Sequence, residues 1–278
     1  MKGNLRSAGL AICLLGAVAF AGQNPTLLRR QLKEGATEKY QVDMKMNTVV
    51  EMPGGLGEQE LGLVSSAELD LKLGKMNWQI PGARVDAVMK VTKMEADGIM
   101  AGAFGDKVPP PMEVKATLDI FGRLRPVQTA ESGFELGQMQ SLSFSMMTVE
   151  LPEKAVSIGD SWRVVVPKST MTKKNQFLTA TLKGERGNAW IVSLDGTYKL
   201  EMEPREIAAS DGPANAMAGQ KVAIKGDVTV AGEGLVEKSS GRTLSLKVKS
   251  TTKQVAKLAG MGLEINSSSV MDSSVTAK

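Results

Sequence analysis

Histidine is absent from this chain, and its one cysteine is Cys13. Without histidine there is no imidazole base, no Ser-His-Asp or Cys-His pair, and no imidazole metal ligand. A single cysteine forms neither an intramolecular disulfide nor a four-thiolate zinc site. Aromatic residues are scarce at 4%. An outer-membrane barrel needs two aromatic girdles, and the chain ends Val275-Thr276-Ala277-Lys278, without a terminal aromatic. No P-loop, dinucleotide fingerprint or calcium loop occurs. What is present is ordinary globular composition: 278 residues, 42% hydrophobic and 23% charged.

The N-terminus carries Lys2 and Arg6, then an uncharged apolar run from Ala8 to Phe20 that closes on Ala19-Phe20-Ala21. A basic start, a run too short to span a bilayer, and an A-x-A site predict a cleaved signal peptide over residues 1–21. The expected destination is the periplasm or the medium. Cys13 follows Leu10-Ala11-Ile12, and the branched Ile12 stands where a lipobox has Gly, Ala or Ser, so no lipid anchor is expected. Cleavage removes Lys2, Arg6 and Cys13 but no acid, lowering the net charge from +4 to about +2. That charge is too weak to steer nucleic acid or anionic lipid, and the mature protein is not expected to be integral to a membrane. It must fold on its core alone, with no disulfide.

Period-two alternation dominates the rest. Tyr40, Val42, Met44, Met46, Val50 and Met52 alternate with polar residues from Thr37 to Met52, which predicts a long strand with one wet face. Leu69–Leu73, Val114–Ile120, Trp162–Val166, Val222–Val230 and Leu244–Val248 alternate in the same way. Asp97-Gly98, Gly187-Asn188, Asp195-Gly196, Ser240-Gly241 and Phe121-Gly122 read as turns between strands. Connections this short impose antiparallel neighbours. Near residues 134–148, Phe134, Met139, Leu142 and Met146 approach helical spacing and predict one short helix. Ala208 to Gln220 reads as a loop. The expected fold is all-β: a curved antiparallel sheet, half-barrel or barrel-like. Its halves would be residues 22–150 and 151–278, which could be similar to each other or form one continuous domain.

The most specific stretch runs from Leu151 to Trp162: Leu151, Pro152, Val156, Gly159, Asp160 and Trp162 fit an LPxxxVxxGDSW pattern. It resembles a segment found in a family of secreted bacterial proteins of unknown function, as does the G-x-x-x-x-Y opening from Gly35 to Tyr40. The resemblance implies a β-rich envelope protein and brings no catalytic residues. Physically, Gly159-Asp160 reads as a tight turn, with the Asp carboxylate capping backbone N–H groups and Trp162 turned inward.

Ser250-Thr251-Thr252-Lys253 matches S-x-x-K, but in a strand and without the companion S-D-N and K-T-G elements. Glu201 and Glu203 flank Met202 on the wet side of a strand. Methionine is in excess, with 17 residues. Thioethers suit Cu(I), yet His and Cys ligands are missing, and flexible Met side chains suit an irregular core or an adaptable apolar pocket. No cofactor, metal site or catalytic set is expected. The leading expectation is a non-enzymatic envelope protein that holds a lipid or acyl chain on a concave sheet lined by Tyr40, Val42, Met44, Met46, Val50 and Met52. The alternatives are a scaffold for an envelope protein partner and, third, a carboxylate- or Ser/Lys-based hydrolase.

Overall fold

In a computed structural model of the chain, the described residues are 24–51, 57–77, 81–98, 101, 108–127, 147–169, 171–206, 221–258 and 262–278. They form eleven strands: β1 (Thr37–Glu51), β2 (Glu58–Asn77), β3 (Gly82–Ala96), β4 (Met112–Asp119), β5 (Leu124–Pro126), β6 (Ser161–Val166), β7 (Gln176–Arg186), β8 (Ala189–Glu206), β9 (Lys221–Glu237), β10 (Thr243–Leu258) and β11 (Leu263–Ala277). All belong to one antiparallel sheet in the order β5-β4-β3-β2-β1-β11-β10-β9-β8-β7-β6. The first and last strands are therefore neighbours, with Tyr40 opposite both Ala277 and Leu69. From β1 the chain meanders to one edge at β5, crosses to the other edge at β6, and meanders back to β11 beside β1. Residue 150 lies in that crossing, and the two halves of the chain meet strand to strand in one sheet. The sheet is open but curved, since Leu124 of β5 and Val166 of β6 join the same buried cluster.

Two irregular segments cross one end of the sheet and close it. The first, residues 24–36, donates from the Arg30 N–H to the Ile120 carbonyl at 2.8 Å and from the Gln31 N–H to the Ser240 carbonyl at 2.7 Å. The second, residues 147–160, donates from the Leu151 N–H to the Phe121 carbonyl at 2.7 Å and from the Val149 N–H to Thr243 Oγ1 at 3.0 Å. The two join through a bridge between Thr26 and Val156. Their seats are the β4–β5 and β9–β10 turns. Gly122 has φ 76° and Gly241 has φ 65°, and a Cβ there would lie 2.7 Å from the Val149 carbonyl oxygen and 2.2 Å from the Arg29 carbonyl oxygen, respectively. Glycine is required in these turns both for its backbone conformation and for the close approach of the capping chain.

Most of the expected strands are present, and the Gly187-Asn188, Ser240-Gly241 and Phe121-Gly122 turns join neighbouring strands. Asp97-Gly98 ends β3, but β4 begins only at Met112, so it does not close a tight hairpin. Asp195-Gly196 is not a turn at all: it lies inside β8. Gly196 serves close packing there, since a Cβ would come within 2.9 Å of Leu178 Cδ2. The signal peptide, the loop at 208–220 and nearly all of the helix expected near 134–148 lie outside the described residues. Met147 and Thr148, at the end of that stretch, are buried in a bend.

Candidate functional site: the inner face of the sheet

Side chains alternate across every strand, and the apolar set faces inward. At the capped end this inner face is a packed core: Tyr40, Leu69, Leu71, Val85, Leu118 and Val275 are almost inaccessible to solvent. Arg30 is buried there with its side chain fully enclosed, paired with Glu38. The Tyr40 hydroxyl accepts from Arg30 Nη2 at 3.2 Å and donates to Glu38 Oε2 at 2.6 Å. Arg30 Nε and Nη1 have no partner. Burial pushes the Tyr40 phenol above its ordinary pKa, against the opposing pull of the Arg30 charge.

The second capping segment carries the whole LPxxxVxxGDSW pattern. Leu151, Pro152 and Val156 are buried. Gly159 has φ 96°, and Asp160 Oδ2 accepts the Ser157 N–H at 2.8 Å. The Gly159 N–H donates to the Leu182 carbonyl at 2.7 Å, and the Leu182 N–H donates to the Asp160 carbonyl at 3.0 Å, docking the corner on β7. Trp162 is half-buried, and its Nε1–H donates to the Glu150 carbonyl at 2.9 Å. Arg123 ties the corner to the β4–β5 turn through Glu150 at 2.5 Å and Glu153 at 2.8 Å. Burial raises the Glu150 carboxyl above the usual range despite that pairing. These residues hold the cap on the sheet.

Away from the cap the same inner face continues, half-buried on β1, β3 and β11, whereas Val228, Tyr198, Leu200, Met202 and Leu258 on β8 to β10 are buried. Val42, Met44, Met46 and Val50 occupy it along β1, and Met46 stands opposite Met271 of β11. Met89 and Met94 of β3 are half-buried as well. Of the six residues expected to line a ligand surface, Met44, Met46 and Val50 share this open half, and Val42 packs against the buried core. Tyr40 sits inside the capped core, and Met52 lies outside the described residues. The open half also holds residues that sequence reasoning missed. One cross-strand row reads Leu61, Thr48, Ser269, Thr252, Val228 and Tyr198; the next reads Gln59, Val50, Ser267, Gln254, Gly226 and Leu200. The signal was hidden because serines fill both faces of β11 between Asn266 and Ser274, which erases the apolar alternation. Counting back from the β10–β11 connection would have recovered it.

Two cavities lie along the described part of the sheet. One of about 40 Å³ lies under Val149, against Val166, Leu178, Val192 and Leu246. A broader groove of about 520 Å³ lies on the polar side, where Asp43, Lys45, Lys247, Lys249, Asp272 and Ser274 project. Ser250 and Lys253 are three residues apart on β10, so they point to opposite faces and form no Ser–Lys pair. Glu201 and Glu203 both pair with Lys173 at 3.1 and 3.2 Å, in solvent. Among the described residues no group of three or more His, Cys, Asp or Glu could hold a metal ion, and no helix is long and apolar enough to cross a membrane.

The class that these features define is an all-β protein built on one open, curved antiparallel sheet, capped at one end. Residues 128–243, which include Leu151 to Trp162, match the model of a family of unknown function (DUF6263). No curated protein matches the chain. Among solved structures, one of lipovitellin, describing its lipid–protein interactions, aligns with 89% of this chain at 11% identity and a TM-score of 0.47. The chain spans only 25% of the length of that structure. A candidate exported protein with a YmcC-like fold from Bacteroides fragilis aligns over 91% of this chain and 99% of its own, at 10% identity and a TM-score of 0.20. At these scores neither likeness defines a ligand or a mechanism for this chain.

Proposed function

We propose that the protein is an exported, non-enzymatic binding protein that holds an apolar ligand, a lipid or acyl chain, on the uncapped half of its inner face. The observation that carries this reading is the continuation of the core face past the cap, where Met44, Met46 and Val50 are half-buried on β1. A globular sheet normally buries such a face. Unbranched, polarizable Met side chains suit a surface that must adapt to flexible chains. Covering ~300 Å² of apolar surface there would contribute about 7 kcal/mol before association entropy is subtracted. The basic, apolar N-terminus with its Ala19-Phe20-Ala21 site supports export to the periplasm or the medium. Native mass spectrometry of the mature protein after gentle extraction should show a co-purified adduct of lipid mass. Met44→Asp together with Met46→Asp should remove it while the melting temperature holds. An adduct that persists in that variant would refute this placement.

A second reading has one observation in its favour. The enclosed inner cavity, about 40 Å³, is far below the usual ligand range of roughly 300 to 1,000 Å³. A scaffold that binds an envelope protein along the edge strand β6 would need no cavity. Absence of any lipid adduct, with a partner cross-linked through β6, would favour it.

A further inference from the structure

The inner face of the open half is apolar yet has a hydroxyl and amide band, and the band itself holds no charged residue. At the inward positions of β1, β2 and β9 to β11, and of β8 as far as Met202, the ionisable residues among those described are Glu38, Tyr40 and Tyr198; past the bulge in β8, Arg205 pairs with Val222 three rows beyond Thr252. Glu38 and Tyr40 are consumed in the capped end by Arg30. Tyr198 is almost buried, and burial pushes its phenol up to about 12, so it is a neutral hydrogen-bonding group at any physiological pH. Every lysine of β10, from Lys247 to Lys257, projects to the other face. Within the band, Thr48 Oγ1 donates to Ser269 Oγ at 3.1 Å. The half-buried Thr252, Gln254 and Ser267 side chains make no hydrogen bond among the described residues, which leaves them free to serve a ligand.

Resting on the reading of this face as a lipid-binding surface, we infer that its ligand carries an uncharged, hydroxyl-bearing head group, as a mono- or diacylglycerol does, seated on the Thr48–Ser269–Thr252 row. The chemistry is one of matching. An unpaired carboxylate or phosphate pressed against this face would lose water and meet no cation, which is strongly unfavourable. A glycerol hydroxyl instead exchanges water for the free Thr252, Ser267 and Gln254 groups at little net cost. The apolar chain would then lie over Met44, Met46 and Met271, toward the cap.

The test is displacement of the neutral fluorophore N-phenyl-1-naphthylamine from the mature protein by 1-oleoylglycerol, oleate and hexadecane at pH 8. The expected result is displacement by oleoylglycerol at a concentration at least tenfold below that of oleate. Thr252→Val combined with Ser269→Ala should weaken oleoylglycerol at least fivefold and leave hexadecane unchanged. Thr252→Lys should draw oleate level with oleoylglycerol, provided its melting temperature is unchanged. Equal displacement by oleate in the unsubstituted protein, or no change in the double variant, overturns the head-group inference and leaves the lipid-binding reading standing. If neither the fluorophore nor any of the three competitors binds, the binding reading itself fails, and the inference fails with it.

Discussion

Raising the pH from 9 to 12 offers a direct test of how the two tyrosines are held. The chain has only two, Tyr40 and Tyr198, and both phenols are pushed up by burial. In the unfolded chain each ionises near 10, whereas Tyr198 in the folded protein waits until about 12. Between those values the unfolded state releases a proton that the folded state retains. It therefore binds fewer protons, and stability must fall as pH rises. The stability is intact below pH 10 and is lost progressively as pH climbs to about 12. Two pKa units at 1.36 kcal/mol each give a loss of about 3 kcal/mol from Tyr198, and Tyr40 adds to it with the same sign. Urea unfolding at stepped pH measures the slope. Tyr198→Phe should remove most of the tyrosine contribution, and the lysines, common to both proteins, cancel in the comparison. Phenolate absorbance gives an independent readout: Tyr198 should contribute almost none at pH 10.5 in the folded protein, and urea should release both phenolates at once. A folded protein whose phenolates appear with a midpoint near 10 would refute the burial of both rings.

Other substitutions probe the cap. Glu38→Gln leaves the enclosed Arg30 charge without its counter-ion and should cost about 3 to 5 kcal/mol, read as a lower urea midpoint with the slope unchanged. Arg30→Met leaves the largely buried Glu38 carboxylate without its cation and should cost a similar amount, whereas Arg30→Met combined with Glu38→Leu removes both charges and should cost less than either single change; a double variant less stable than both would contradict the assignment. Gly159→Ala meets only a backbone penalty of about 1 to 2 kcal/mol, because no atom lies within 4 Å of the new Cβ. Gly241→Ala adds a collision with the Arg29 carbonyl and should lower the melting temperature distinctly further; equal losses would show that the first capping segment does not seat on that turn.

Much of the sheet is legible in the sequence because a two-sided antiparallel strand writes its orientation in alternate residues. Thr37–Glu51 shows this best: the polar residues from Lys39 to Asn47 face water and Tyr40 to Val50 face inward. The reading failed at Asp195-Gly196, where a dipeptide with turn chemistry sits mid-strand. A local signal cannot reveal that Leu178 of the neighbouring strand needs the space of the missing side chain. The wrap that sets β1 beside β11 is equally non-local, for no short-range pattern couples Tyr40 to Ala277. The candidate surface was half legible for the same reason. Methionines announce themselves by composition, whereas Ser269 and Thr252 acquire a meaning only through their register with Thr48.

The sheet also explains why one face can be both core and candidate site. Strand β2 has 20 residues, or about 66 Å at ~3.3 Å per residue, and the capping segments cross one end only. A strand cannot change which face is apolar without a bulge or a slip of one residue, so the inner face stays uncharged beyond the point where the cap stops, as far as the β8 bulge between Met202 and Arg205. At the capped end, burial is completed by Val149, Leu151 and Val156, and the cost of enclosing a charge is met by pairing Arg30 with Glu38. At the far end the chain places hydroxyls rather than charges among the apolar residues around Thr48, Ser269 and Thr252, which would keep that surface wettable when empty and suit the proposed lipid. Placing a lysine there should thus change which head group is accepted without disturbing the cap. Placing one at Leu69 or Leu71, both fully enclosed, should abolish folding.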